Sequence, residues 1–155
     1  MENKITFMDI CAARRRGDEI TQSNLSIMLA VERVKKTGAT TCGVVAVAKI
    51  PGTWARVRQI ILSMQFGYTH LRVQFECEEG CERFEEVVAL VPRLDEVWAS
   101  RLARHVETVV LADNVNRDGL VEAISRLRPG CRPAGFFLPP NSFVEAVMAS
   151  RGPVI

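Results

Sequence analysis

The chain has 155 residues, of which 48% are hydrophobic and 25% are charged, a composition that fits one globular domain and excludes a disordered chain. Its 20 basic and 18 acidic residues nearly cancel, so net charge alone predicts no nucleic-acid or membrane partner. The apolar stretches are much shorter than the ~20 residues that span a bilayer, and the N-terminus has no apolar signal core, so we expect a cytoplasmic protein.

The first 39 residues are predicted to be helical. Apolar periodicity indicates a helix over 7–16 that stops at Gly17, and a second that includes 25–34 and stops at Gly38. The pattern leaves open whether residues 5–8 form a strand instead.

Strand and helix patterns alternate from residue 40 onward. Residues 41–50 are almost continuously apolar and β-branched, as in a strand that is covered on both faces. The sequence PGT, followed by apolar residues at helical spacing, predicts a helix over 54–64. Residues 69–75 alternate between apolar and polar side chains, which predicts a half-exposed edge strand.

The second half of the chain continues this alternation. Apolar spacing predicts helices over 84–91 and 94–102, which Pro92 separates. The remaining predicted elements are a strand at 105–112, a helix at 120–127, a strand at 131–138 and a helical turn at 143–148.

Strands that alternate with helices predict a mainly parallel sheet with helices on both faces. The expected fold class is therefore a three-layer α/β domain, Rossmann-like or flavodoxin-like, with an N-terminal helical segment over 1–39 and an alternating unit over 40–155. No linker divides the two parts, so we expect one domain over 1–155. The first strand, 41–50, is expected to lie between the 69–75 strand and the 105–112 strand.

In such a sheet a ligand binds where the carboxyl ends of two neighbouring strands diverge, here between the loops after the first and third strands. The first loop supplies Lys49, Gly52 and Thr53. Gly52 permits close backbone approach, Thr53 can cap the following helix and Lys49 adds a positive charge, which suits a phosphate group. The loop lacks both GxGxxG and GxxxxGK[ST], and an ordinary turn explains the same residues.

The second loop supplies Asp113, Asn114 and Asn116, whose carboxylate and amide groups suit hydroxyl contacts or a hydrogen-bonded turn. Asp118 is predicted to cap the next helix, which we expect to begin at Gly119. Together the two loops predict binding of a phosphate-bearing small molecule such as a nucleotide, with structural turns as the alternative.

The sequence ECEEGCE contains Cys77 and Cys81, which are separated by three residues. This is not the CxxC spacing of common zinc sites, so no metal is expected. Cys81 follows Gly80 at the expected start of a helix, where the dipole lowers a thiol pKa, whereas the neighbouring glutamates favour the protonated thiol. Both cysteines are candidate reactive thiols, and an acidic first helical turn is the alternative interpretation.

No arrangement of residues matches a catalytic motif, so the leading hypothesis is a non-catalytic interaction or assembly module. The second helix carries apolar residues on more than one face, and the segment 135–143 is apolar, which favours a protein partner or self-association. No cofactor is expected, and the sequence does not decide whether the chain is an enzyme.

Two alternatives come from other functional classes. The first is an enzyme or sensor that binds a nucleotide or phospho-metabolite at the two loops. The second is nucleic-acid binding through Arg14, Arg15, Arg16 and the basic residues at 33–36. Acidic residues within the same helices weaken the second alternative.

Overall fold

The strands among the described residues form one antiparallel sheet. The computed structural model describes residues 5–46, 59–60, 69–80 and 82–138. In these ranges the helices are α1 (Phe7–Arg15), α2 (Glu19–Lys35), α3 (Glu96–Ala103) and α4 (Arg117–Leu127), and the strands are β1 (Cys42–Ala46), β2 (Thr69–Cys77), β3 (Arg83–Pro92), β4 (Val109–Ala112) and β5 (Cys131–Phe137). The sheet order is β4, β1, β3, β2, β5, and each neighbouring pair is antiparallel.

The expected Rossmann-like or flavodoxin-like fold with a mainly parallel sheet is therefore wrong. The decisive error is the helix predicted over 84–91, because these residues belong to strand β3. Their spacing fits one face of a helix, but 87–91 is also an unbroken apolar run in which residues 88–91 are buried. Such a run is equally typical of a strand covered on both faces, and periodicity alone does not separate the two.

The order of the strands also differs from the prediction. Strand β1 is interior, as expected, and β4 does lie beside it, but antiparallel to it. The other neighbour of β1 is β3, not β2. Strand β2, predicted to be an edge, pairs with β3 on one side and β5 on the other. Apolar and polar residues alternate along β2 because its side chains point in turn to the two faces of the sheet, and this alternation does not require an edge position.

The N-terminal segment forms two helices, close to the predicted bounds. Thr6 and Asp9 form a capping box that starts α1, which settles residues 7 and 8 as helical. Gly17, with φ +71°, makes the turn between the helices, and the Asp18 carboxylate caps α2 by accepting from the Thr21 amide at 3.1 Å. None of the helices in the described ranges is both long and apolar enough to cross a membrane.

The hydrophobic core lies on both faces of the sheet. The larger cluster fills the space between the sheet and helices α1, α2 and α4, where Leu71, Val73 and Phe75 of β2 are fully buried. A smaller cluster on the opposite face lies against α3 and includes Val45, Ala89, Val91, Leu94 and Leu102. The predicted helix over 54–64 is described only at residues 59–60, which are helical, and the predicted turn at 143–148 lies outside the described residues.

Candidate binding groove beside helix α2

The predicted nucleotide crevice depended on two strands that end at the same edge of the sheet. Because β4 is antiparallel to β1, its last residue, Ala112, pairs with Cys42 at the start of β1. Asp113 therefore follows β4 at the amino end of β1, whereas β1 itself ends at Ala46, at its carboxyl end. Lys49, Gly52 and Thr53 lie outside the described residues. The expected crevice between two diverging carboxyl ends has no counterpart in this pair of strands.

The loop after β4 is organised by contacts to helix α4. The Asn116 side chain caps the helix by accepting from the Gly119 amide at 2.7 Å, a role that we predicted for Asp118. A Cβ atom on Gly119 would lie 2.0 Å from the Asn114 carbonyl oxygen, so the loop and the helix pack closely. Asp113 and Asn114 are exposed. A ligand-binding role for Asp113, Asn114 and Asn116 stays a prediction.

The acidic cysteine sequence forms a β-hairpin between β2 and β3. The Cys77 amide donates to the Glu82 carbonyl at 2.8 Å, and Gly80 has φ +85° in the connecting turn. The expected helix N-terminus at Cys81 is wrong because β3 begins at Arg83, while Cys81 itself lies outside the described residues. Within the described ranges, no group of three His, Cys, Asp or Glu side chains could hold a metal.

Cys77 has a partner that the sequence did not reveal. Its Sγ lies 2.7 Å from the Sγ of Cys131 on the neighbouring strand β5. The hydrogen bond with Cys131, followed by burial and by the charges of Cys131 and Glu82, raises the pKa of Cys77 to about 11. The Cys77 thiol is therefore protonated at neutral pH and is a poor nucleophile when it acts alone.

The basic residues proposed for nucleic-acid binding do not form one surface. Arg14, Arg15 and Arg16 lie at the end of α1, immediately before α2, whereas Arg33, Lys35 and Lys36 lie at the end of α2. Helix α2 has 17 residues and is therefore about 25 Å long. The two groups stand at opposite ends of this helix, and nucleic-acid binding through them stays a prediction.

A groove of about 260 Å³ lies between the start of α2 and strands β2, β3 and β5. Its helix wall consists of Glu19, Ile20, Ser23 and Asn24. Ile20, Ser23 and Asn24 continue the helical stripe of Ile27, because they precede it by seven, four and three residues. Ile27 is fully buried, whereas Ile20 is 78% exposed. The face of α2 that packs on the core therefore extends past the residues that bury it. The groove lies beside this uncovered end of the helix.

The wall formed by the strands contains phenylalanine rings and a glycine. It consists of Gln74, Phe75, Arg83, Ala134, Gly135 and Phe137. The register shifts between the pairs Gln74–Gly135 and Phe75–Pro133, so β5 has one extra residue, Ala134, at this irregularity. A Cβ atom on Gly135 would lie 2.9 Å from Cε2 of Phe137 and 3.3 Å from Oε1 of Gln74, so glycine at this position avoids a collision with the wall.

The two walls carry opposite charges. Glu19 on the helix wall is exposed and belongs to none of the ion pairs found among the described residues. Arg83 on the strand wall lies 3.9 Å from Glu76, which also pairs with Arg132 at 3.4 Å. The Glu76 carboxylate thus pairs with two guanidinium groups, so the strand wall has an excess of positive charge. The groove offers a surface that is part apolar and part polar, with a carboxylate on one wall and a guanidinium on the other.

The edges of the sheet are poor templates for an added strand. At edge strand β5, the Phe136 amide donates to the Ser23 hydroxyl at 2.8 Å, and Pro133 has no amide hydrogen. At the other edge, the Leu111 carbonyl of β4 accepts from the Arg126 guanidinium at 2.9 Å. A strand added at either edge would have to compete with these contacts.

The sequence contained one signal for this groove that the sequence analysis missed. Ile20 fits the sheet-facing stripe of α2 but is followed by the polar Ser23 and Asn24 on the same face. A stripe that turns polar at one end is expected where a helix extends past the sheet that it covers.

Comparisons with known proteins add no functional information, because no family model, curated protein or solved structure matches this chain.

Proposed function

We propose that this chain is a non-catalytic protein-interaction module that binds a short peptide segment of a partner protein in the groove beside α2. The observation that carries the proposal is a concave surface that has the exposed apolar side chain of Ile20 on its rim and opposite charges, Glu19 and Arg83, on its two walls. The volume of about 260 Å³ is below the roughly 300–1,000 Å³ of small-molecule and cofactor sites. It suits one apolar side chain of a peptide better than a nucleotide.

The charges of the groove define the chemistry of the partner segment. An apolar side chain would contact Ile20 and Phe137, a neighbouring basic residue would pair with Glu19, and an acidic residue would pair with Arg83. The preferred segment therefore carries one apolar residue flanked by residues of opposite charge. We also place the protein in the cytoplasm, where the thiol is the usual resting form of cysteine, and the cysteines of the described ranges are free thiols.

Selection from a displayed library of random peptides tests this proposal. The selected peptides should share an apolar residue next to a basic and an acidic residue, and a synthetic peptide of that sequence should bind in a calorimetric titration. Ile20→Ser should weaken this binding roughly 5–30-fold through lost apolar contact. Val97→Ser is the matched control, because Val97 is 66% exposed on α3, away from the groove, and its loss should leave the affinity unchanged.

Three results would contradict the proposal. The first is a library selection without a shared pattern, and the second is a binding constant that Ile20→Ser does not change. The third is a dimer in light scattering that Ile20→Ser converts to a monomer, since the occupant of the groove would then be a second copy of this chain.

A further inference from the structure

The pairing of Cys77 with Cys131 has the geometry of a site for a cross-strand disulfide. The two residues are directly opposite in the register of β2 and β5. The Cys77 amide donates to the Glu82 carbonyl and the Cys131 amide donates to the Arg128 carbonyl, so neither bonds to the opposite cysteine. The adjacent bond, from the Glu78 amide to the Gly130 carbonyl at 3.1 Å, belongs to the flanking pair. Cys77 and Cys131 are therefore a non-hydrogen-bonded pair.

A non-hydrogen-bonded antiparallel pair brings its Cα atoms to about 4.5 Å, within the roughly 4.4–6.8 Å found for disulfides. The two sulfur atoms already lie 2.7 Å apart, compared with ~2.05 Å for a bonded pair. Both thiols are free and half-buried, which leaves them accessible to a small oxidant. We propose that Cys77 and Cys131 are a redox modification site, where thiol–disulfide exchange with a low-molecular-weight disulfide joins β2 to β5.

The reaction balances with glutathione disulfide as the oxidant. One protein thiolate attacks a sulfur of glutathione disulfide, forms a mixed disulfide and releases one glutathione thiolate. The second protein thiolate attacks the protein sulfur of this mixed disulfide, forms the Cys77–Cys131 bond and releases the second glutathione thiolate. The protein loses two hydrogens in total, and two molecules of reduced glutathione carry the two protons and two electrons.

The bond would have a measurable structural consequence. It would join residues 54 positions apart in the sequence and fix the first residue of edge strand β5. The high pKa of Cys77 makes the exchange slow at neutral pH and faster in mild alkali, because the thiolate is the reacting species.

Oxidation of the full chain by glutathione disulfide, followed by mass spectrometry of peptides cut without reduction, tests the proposal. We expect a Cys77–Cys131 crosslink, a loss of two hydrogens and a rise in Tm of roughly 5–15 °C that a reductant reverses. Cys77→Ser or Cys131→Ser should abolish all three changes, and Cys11→Ser and Cys81→Ser should preserve them. A Cys77–Cys81 crosslink, no intramolecular crosslink, or a crosslink that lowers Tm would each overturn the proposal.

Discussion

At the scale of single residues, Gly43 is a position where the fold leaves no space for a side chain. It lies in the interior strand β1, and a Cβ atom there would be 2.0 Å from Cδ2 and 2.9 Å from Cβ of Leu94. Leu94 is itself buried in the cluster against α3, so it cannot move into solvent without loss of core packing. Leu94, in the segment after β3, can therefore occupy its position only because residue 43 is a glycine, and residue 43 must be a glycine as long as Leu94 stays there.

We expect Gly43→Ala to lower the free energy of unfolding by about 2–3 kcal/mol through overpacking, measured by urea denaturation. Leu94→Ala alone should also destabilise the protein, but the double variant should cost less than the sum of the two single changes. Gly130→Ala is the control, because Gly130 has φ +81° with nothing within 4 Å, so only backbone strain of about 1 kcal/mol is expected. Additive losses at Gly43 and Leu94 would contradict this account.

A second feature at this scale is the ion pair that Arg128, at the end of α4, forms with Glu86. The Arg128 guanidinium donates to both carboxylate oxygens of Glu86, with Nε 2.8 Å from Oε2, and to Glu107 at 2.8 Å. These carboxylates, Glu86 first, raise the pKa of Arg128 above its ordinary value. The Glu86 side chain is 2% exposed, so its charge has little access to water. The Arg128 side chain is therefore needed as its counter-ion.

Removal of Arg128 should be costly because it leaves the Glu86 charge buried and unpaired. We expect Arg128→Met to lower the free energy of unfolding by about 3–5 kcal/mol in urea denaturation. The double variant Glu86→Met with Arg128→Met should recover much of this loss, since both charges are then absent. Glu107→Gln should cost less than about 1 kcal/mol, because the Glu107 side chain is 74% exposed. If Arg128→Met and Glu107→Gln lowered the free energy of unfolding equally, burial of the Glu86 charge would not be the cause of the Arg128→Met effect.

At the scale of elements, the sequence predicts helices better than it predicts strand order. Helices α1 and α2 are recognisable because Gly17 and Asp18 provide a local stop and a local cap. Helix α3 is recognisable for the same reason, since Asp95 caps it. Strand β3 carries no such local mark, and its valine-rich run satisfies a helical stripe and a buried strand equally well. Only pairing with β1 and β2, which is non-local, decides between them.

The groove could be predicted only in part from the sequence, for a related reason. The stripe of α2 is readable in the sequence, but whether Ile20 is covered depends on where the sheet ends, and that depends on β5 as the edge. The same applies to Cys131, which meets Cys77 only because residues 131–137 pair with β2. Features that follow from one segment alone, such as the helix stop at Gly17, can be found in the sequence; those shared by two distant strands cannot.

At the scale of the whole molecule, the antiparallel sheet places a histidine in an environment that opposes its charge. His70 lies on interior strand β2 opposite Ala89 of β3. Burial lowers the pKa of His70 from 6.5 to about 4. The lowered pKa links the stability of the fold to pH, because an unfolded chain exposes the same imidazole to water.

The sign of this dependence follows from which state binds the proton. Above pH 6.5 the imidazole is neutral in both states, but between about pH 6.5 and 4 the unfolded chain takes up a proton that the folded chain does not. The free energy of unfolding should therefore fall as pH falls through this window, by at most about 3 kcal/mol. Asp18, whose pKa is lowered from 3.8 mainly by its hydrogen bond with Thr21, keeps its stabilising effect through this window and loses it only as pH falls below 3.8. Urea denaturation at several pH values should show that His70→Gln flattens the curve between pH 6.5 and 4, while Gln74→Asn on the same strand shifts it without a change of slope. An unchanged slope in His70→Gln would mean that burial of this histidine does not couple folding to pH.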